Sequence, residues 1–131
     1  MLDEAGWQRL HDAAVEVMGH AYVPYSGYPV GVAALVDDGR VITGCNVENA
    51  SYGLGLCAEC GLVGELHRGG GGRLLAVWCV DHAGATIMPC GRCRQLLWEH
   101  GGADTRIRTP QGELGLADVL PQAFDAGDLG R

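Results

Sequence analysis

Four of the six cysteines form two C-x-x-C pairs, Cys57 with Cys60 and Cys90 with Cys93. Cys90 and Cys93 stand three residues apart at the start of a predicted helix, so both sulfurs face one side and can reach one metal ion. Cys57 opens another predicted helix. Because helix N-termini favour anions and lower thiol pKa values, we expect Cys57, Cys90 and Cys93 to be ready thiolate ligands for zinc. Three protein ligands leave the fourth tetrahedral position open for a water molecule, as catalytic zinc requires.

Glu59 follows Cys57 by two residues, which places its carboxylate beside the metal without binding it. A carboxylate there can take a proton from the zinc-activated water and pass it on. A Cys-x-Glu segment followed by Pro-Cys-x-x-Cys, here beginning at Pro89, is the general signature of zinc enzymes that deaminate nucleobases. The pattern therefore predicts one Zn²⁺ per chain, with Glu59 as the proton carrier.

Other interpretations of the cysteines remain open. A closed structural knot would use all four cysteines of the two pairs, although the 29 residues between Cys60 and Cys90 exceed the roughly 15–20 of a zinc ribbon. A redox-active pair would leave the second pair and Glu59 without a role. A secreted disulfide set would need a leader segment, which the acidic start MLDE does not resemble, so we expect a cytoplasmic protein.

Hydrophobic periodicity predicts the elements that must position these residues. Apolar residues recur at helical spacing over residues 4–20, whereas residues 30–36 and 40–45 read as strands joined by a turn. Further elements are expected as a helix at 57–67, a buried strand at 74–80 and a helix from 89 to 100. Helices alternating with strands predict one α/β domain over residues 1–131, a three-layer α/β/α sandwich with a mixed central sheet and zinc at the N-termini of two helices.

Charge and composition restrict the class of partner. The chain has a formal charge of −7, and its nine cations, all arginine, form no basic run. We therefore expect no nucleic-acid partner, because a polyanion needs a positive patch. No apolar run approaches the ~20 residues of a membrane span, so we expect no membrane partner. A free small molecule is the favoured substrate.

At this point the sequence resembles the small, homotetrameric, zinc-dependent cytidine deaminase family over nearly its whole length. The resemblance is carried by YVPYSGYPVG at 22–31, GCNVENASY at 44–52, CAE at 57–59, PCGRCRQ at 89–95 and LPQAF at 120–124. It implies hydrolysis of cytidine and 2′-deoxycytidine to uridine and 2′-deoxyuridine with release of ammonia, a reaction of pyrimidine salvage. It also implies a homotetramer whose pockets are shared between subunits.

The resemblance also implies roles in substrate binding. Asn46 and Glu48 are expected to bond the ribose hydroxyls, a buried polar readout that penalises a bare base. Tyr28 stands where the family usually has Phe and is expected to pack on the pyrimidine. Ala58 is expected to offer its backbone to the base edge.

Three further residues complete the set of expected substrate contacts. Ala50 lies in the same loop as Asn46, and Tyr52 and Phe124 are expected to complete a neighbouring subunit's pocket. Each role has a plainer alternative: Tyr28 and Tyr52 as core aromatics, Asn46 as a turn residue and Phe124 as packing.

Rival functions also stay open. A deaminase of a nucleoside antibiotic such as blasticidin S shares an Arg between the paired cysteines, but the Asn46 and Glu48 pattern argues against it. A polynucleotide deaminase lacks support because no basic groove is predicted. A noncatalytic zinc module would follow from the four-cysteine knot.

Two positions depart from the family pattern. Cys60 stands where most relatives have Arg, and Arg92 stands where most have Ala. Three thiolates and Zn²⁺ leave the site about one net negative charge, which a nearby cation should offset. We expect Arg92 to supply that cation, with Arg94 contributing. A regular helix would turn Arg92 about 200° away from Cys90, so this role needs an irregular first turn; otherwise Arg92 faces solvent or a neighbouring subunit.

Overall fold

A mixed five-stranded sheet separates two helical layers in the computed structural model, which describes residues 2–131. The strands run in the spatial order β2-β1-β3-β4-β5; β3 and β4 pair in parallel, and the other neighbours are antiparallel. The elements in chain order are α1 Glu4–Met18, β1 Gly31–Val36, β2 Val41–Cys45, a 3₁₀ turn Tyr52–Leu54, α2 Ala58–Arg68, β3 Leu74–Val80, α3 Gly91–His100, β4 Arg106–Thr109, β5 Gly112–Gly115, α4 Leu116–Val119 and a second 3₁₀ turn Ala126–Leu129.

Alternating residues of β1 supply the cores on both faces of the sheet. Ala33 packs in a cluster with Trp7 and Leu10 of α1, whereas Val32 and Ala34 pack in a cluster with the apolar residues of α2 and α3. This alternation is what the pleat of a doubly covered strand requires. The predicted three-layer α/β/α sandwich with a mixed sheet is confirmed.

Two glycines let helices approach the sheet closely. A Cβ atom on Gly44 of β2 would lie 2.2 Å from the Ala58 carbonyl oxygen at the start of α2, and one on Gly31 of β1 would lie 2.1 Å from the Ala14 carbonyl oxygen in α1. No side chain fits at either place. The absence of a Cβ at Gly44 therefore sets the depth at which the first turn of α2 sits on the sheet.

The segment between Gly102 and Leu120 contains structure for which the sequence predicted no element. β4 and β5 are four-residue strands joined at Pro110 and Gln111, and α4 is a single turn. Their apolar pattern is too short to show a period. The start of α3 also differs slightly from the prediction, because Cys90 is the N-cap and Pro89 precedes it. Within residues 2–131, no helix combines the length and apolarity needed to cross a bilayer.

Candidate active site

Three cysteines converge where α2 and α3 begin. Cys57 is the N-cap of α2, Cys90 is the N-cap of α3, and Cys93 lies in the first turn of α3. Their Sγ atoms all lie within 4.8 Å of one another. Tetrahedral zinc with bonds of about 2.3 Å needs sulfurs about 3.8 Å apart, so the cluster fits one zinc ion after small side-chain movements. Among the described residues this group does not include Cys60, which favours an open site over a four-cysteine knot.

The thiol pKa values differ from the sequence expectation at two of the three cysteines. Burial raises the pKa of Cys57, and burial followed by the Glu59 carboxylate raises that of Cys93 well above its usual range. Only the pKa of Cys90 is lowered, chiefly by the backbone N–H of Cys93. Desolvation outweighs the helix N-terminus at Cys57 and Cys93. These two thiols must therefore lose protons when metal binds, which makes metal affinity pH-dependent.

Glu59 is a buried carboxylate beside the cysteine cluster. It lies in the first turn of α2 and is 4% exposed. The Cys79 thiol of β3 lies 3.5 Å from Glu59 Oε1, so it donates a weak hydrogen bond to that oxygen. This contact is not evident from the sequence, because Cys79 resembles a small apolar core residue. The sequence feature that could have indicated it is the position of Cys79 near the end of the buried strand β3, on the face that α2 covers.

A cavity of about 430 Å³ opens onto Glu59 and the cluster, a size typical of small-molecule sites. Cys79, Ile87 and Met88 line it and were not predicted. The predicted residues that line it are Tyr28, Asn46, Glu48, Cys57, Ala58, Glu59 and Cys90. A buried carboxylate, Glu59, and the half-buried polar side chains of Asn46 and Glu48 thus share one cavity.

The side chain of Asn46 holds the loop that borders the cavity. Its Nδ2 donates to the Tyr28 carbonyl oxygen at 3.0 Å, and its Oδ1 accepts from the Val30 backbone N–H at 2.8 Å. An amide has two donor hydrogens and two acceptor lone pairs, so Asn46 keeps one of each for a ligand. Asn46 can therefore stabilise the loop, which was the alternative role considered for it, and still bind a ligand.

Glu48 is held by the loop at Tyr25 and Ser26. Its Oε1 accepts from the backbone N–H groups of Tyr25 (3.0 Å) and Ser26 (3.1 Å), and its Oε2 accepts from the Ser26 hydroxyl. The Ser26 hydroxyl and these amides lower the pKa of Glu48. Glu48 is therefore an ionised acceptor with a fixed orientation.

Ala50, Tyr52 and Phe124 lie outside the lining of this cavity. Tyr52 is 80% exposed and Phe124 is 57% exposed, and Ala50 is also exposed. Tyr52 lines an adjoining cavity of about 380 Å³ that shares Glu48 with the first. Within one chain, Tyr52 and Phe124 are thus neither core aromatics nor part of the first cavity.

Arg92 reaches Cys60 across the gap between α3 and α2. Its Nη1 donates to Cys60 Sγ at 3.4 Å. The contact needs no irregular first turn, because the side chain turns toward α2 rather than toward Cys90. Hydrogen bonding to Cys60, and then the charges of Cys60, Cys93 and Cys57, raise the pKa of Arg92. The positive charge of the guanidinium therefore interacts electrostatically with the sulfurs of Cys93 and Cys57 as well as with Cys60.

Arg94 donates hydrogen bonds to two backbone carbonyl oxygens from different segments of the chain. Its Nε donates to Pro89 at 2.9 Å, and its Nη1 donates to Val119 at 3.0 Å. Over the part of the chain that the structure describes, its hydrogen bonds go to these carbonyls and to no ligand sulfur. Arg94 thus fixes the approach to Cys90 by tying Pro89 to the end of α4.

Comparisons with known proteins agree with this site. The family model described as the cytidine and deoxycytidylate deaminase zinc-binding region matches residues 6–108. The cytidine deaminase of Mycobacterium tuberculosis (strain ATCC 25618 / H37Rv) is 57% identical over 130 residues, covering 99% of this chain and 98% of the relative.

Solved structures show the same likeness. The crystal structure of cytidine deaminase from Mycobacterium tuberculosis matches with a TM-score of 0.88 and 60% identity, covering 90% of this chain and 96% of that chain. The enzyme from Mycobacterium leprae matches with a TM-score of 0.87 and 59% identity, covering 88% and 98%. Fold and cysteine cluster together define a zinc-dependent hydrolytic deaminase. The chain belongs to the cytidine and deoxycytidylate deaminase family, which confirms the resemblance seen in its motifs.

Proposed function

We propose that the chain hydrolyses cytidine and 2′-deoxycytidine to uridine and 2′-deoxyuridine with release of ammonia, a reaction of pyrimidine salvage. The observation that carries this proposal is one cavity lined by buried Glu59, by Cys57 and Cys90 of the thiol cluster, and by Asn46 and Glu48, which form its rim. A pyrimidine fits beside Glu59, and its ribose reaches the rim. The family membership of the chain supports the same reaction.

The chemical step depends on Glu59 as a proton carrier. Cys57, Cys90 and Cys93 would hold the zinc ion, which would supply Lewis-acid activation of the attacking water. Glu59 accepts a proton from the attacking water and delivers it to the ring nitrogen next to the carbon that bears the amino group. It then carries the second water proton to the amino group, the carbon–nitrogen bond breaks, and ammonia leaves. The Cys79 thiol bonds Oε1 and so orients the carboxylate for proton transfer.

Substrate selection rests on the cavity rim. The spare donor and acceptor of Asn46 and the ionised carboxylate of Glu48 bond the ribose hydroxyls, and Tyr28 packs on the base. Asn46 and Glu48 lose bonding partners when a bare base binds, so cytosine is a poor substrate. The Ala58 backbone meets the base edge.

The working unit is a homotetramer in the cytoplasm, with one domain per chain over residues 1–131. Exposed Tyr52 and Phe124 complete the pocket of a neighbouring copy, since large exposed aromatics gain most when a partner covers them. The partners are small nucleosides rather than nucleic acid or membrane, in keeping with the formal charge of −7.

The test of function is the loss of absorbance with cytidine, 2′-deoxycytidine, cytosine and blasticidin S, comparing wild type with Glu59→Gln. We expect the first two compounds to react, and Glu59→Gln to fall at least about 100-fold in kcat while it keeps one zinc. Near-native turnover by zinc-loaded Glu59→Gln refutes the mechanism. Turnover of blasticidin S alone refutes the substrate.

The ligand set has its own test in metal analysis. Cys57→Ala, Cys90→Ala and Cys93→Ala should each lose zinc, because each removes one of three thiolates. Cys60→Ala is the matched control and should retain one zinc per chain. If Cys60→Ala loses zinc as readily as the other variants, the closed four-cysteine site is correct instead.

A further inference from the structure

Two histidines meet at the end of α2 and α3 remote from the cysteine cluster. His67 lies in the last turn of α2, and His100 is the last residue of α3. His67 Nε2 and His100 Nδ1 are 3.3 Å apart, and the rings form an edge-to-face pair with centroids 4.9 Å apart. The two rings therefore present nitrogen atoms to the same small space.

We propose that His67 and His100 form a second, bidentate site for a divalent transition-metal ion such as Zn²⁺ or Ni²⁺. With metal–nitrogen bonds of about 2.0–2.1 Å, two imidazole ligands of one ion stand about 2.9–3.4 Å apart at tetrahedral or octahedral angles. The observed 3.3 Å lies in this range. These two nitrogens lie within hydrogen-bonding distance, so a metal ion replaces that contact once the rings rotate to turn both lone pairs toward one point; His67 is exposed at the surface. Water fills the remaining positions.

The electrostatic setting of the pair favours a metal cation. Both histidines lie at helix C-termini, where the helix dipoles favour positive charge. Arg68, next to His67, is held by Glu65 through a 3.0 Å bond from Nε to Oε2, so its charge is offset. Burial, and then the nearby His67, lower the pKa of His100, which keeps its imidazole neutral and able to coordinate.

The proposed second site lies on the same two helices as the cysteine cluster. α2 has 11 residues and spans about 16 Å, so the two sites lie at opposite ends of one helix pair. An ion at His67 and His100 joins the C-terminal ends of α2 and α3, while the cysteines join their N-terminal ends. Because such an ion binds the folded chain only, it stabilises the fold by mass action.

The experiment titrates Ni²⁺ into the zinc-loaded enzyme, in which the cysteine cluster is filled, and measures bound metal and the thermal midpoint. Wild type should bind one further Ni²⁺ per chain and melt at a higher temperature with it. His67→Gln and His100→Gln should each bind it about tenfold or more weakly and lose the shift, because one imidazole lacks the chelate advantage. His20→Gln, an exposed histidine on another part of the chain, is the control and should behave as wild type.

Two results overturn the proposal. One is that wild type binds no further Ni²⁺ beyond its zinc. The other is that either glutamine variant binds the further Ni²⁺ as tightly as His20→Gln does. Neither bound Ni²⁺ nor the thermal midpoint depends on deaminase activity. A negative result for this metal site is therefore distinguishable from a negative result for the proposed reaction.

Discussion

Arg92 and Cys60 form a contacting pair next to the thiol cluster, at the two positions that are expected to depart from the family pattern. Cys60 lies one turn into α2 after the ligand Cys57, and the guanidinium of Arg92 bonds its sulfur. We propose that a cation at this spot would reduce the excess negative charge of three thiolates and so favour activation of the water at the metal. The contact with Cys60 holds Arg92 near the ligands without taking up a ligand sulfur.

We predict that Arg92→Ala lowers turnover or zinc retention by about tenfold, the lower end of losses seen for partners of metal ligands. Adding Cys60→Arg should restore part of the loss, because it returns a cation to the same space, and a double-mutant cycle on kcat and zinc content measures the coupling. Arg9→Ala, an exposed arginine on α1, is the control. A silent Arg92→Ala in both measurements shows that the cation has no role.

At the scale of elements, the depth of α2 on the sheet decides where Cys57 and Glu59 stand. Gly44 is the point of closest approach, and an added methyl group would strike the Ala58 carbonyl oxygen and the Leu62 backbone nitrogen. Backbone atoms cannot move aside singly. Any side chain at Gly44 therefore lifts the start of the helix together with the site.

Gly44→Ala should lower the free energy of unfolding by about 1–3 kcal/mol through overpacking, and should reduce kcat because the first turn of α2 moves. Gly64 lies in α2, and a methyl group there would meet nothing within 4 Å. Gly64→Ala should therefore raise the free energy of unfolding by about 0.5–1 kcal/mol, since Ala is the better helix former. Urea unfolding of both variants gives the comparison. If the two variants have equal free energies of unfolding, the close approach of α2 to Gly44 is contradicted.

Elements with a clear hydrophobic pattern were predictable, whereas an element that covers a charged side chain was not. The helical spacing of apolar residues in α1 and the continuous apolar run of β3 each indicate their secondary structure directly. β4 instead contains Arg108, whose guanidinium carbon lies 4.9 Å from the ring centroids of both Trp7 and Trp78. This stacking lets an arginine cover the α1 face of the sheet, whereas sequence reasoning treats charge as exposed. Likewise, the spacing of Cys57, Cys90 and Cys93 predicted that they cluster, as they do, but only tertiary packing brings Cys79 to Glu59.

At the scale of the whole molecule, a single chain leaves large apolar side chains uncovered around its cavities. Tyr25, Tyr52 and Leu54 are exposed close to the second cavity, and Phe124 is exposed near the C-terminal end. The Phe124 carbonyl oxygen accepts a 2.7 Å bond from Gln95 of α3, which fixes that segment beside the active-site helix. A fixed, exposed aromatic is suited to enter a pocket of a neighbouring copy.

Subunit sharing predicts complementation between two impaired variants. Phe124→Ala or Tyr52→Ala should impair activity through the neighbour's pocket, while Glu59→Gln impairs its own. In a random hybrid of Phe124→Ala and Glu59→Gln chains, about one quarter of sites combine an intact Glu59 with an intact Phe124 from another chain, so activity should rise toward about 25% of wild type. Coexpression with two affinity tags isolates verified hybrids, and mixed homo-oligomers that have not exchanged are the control. If verified hybrids are no more active than their parents, each chain builds its pocket alone.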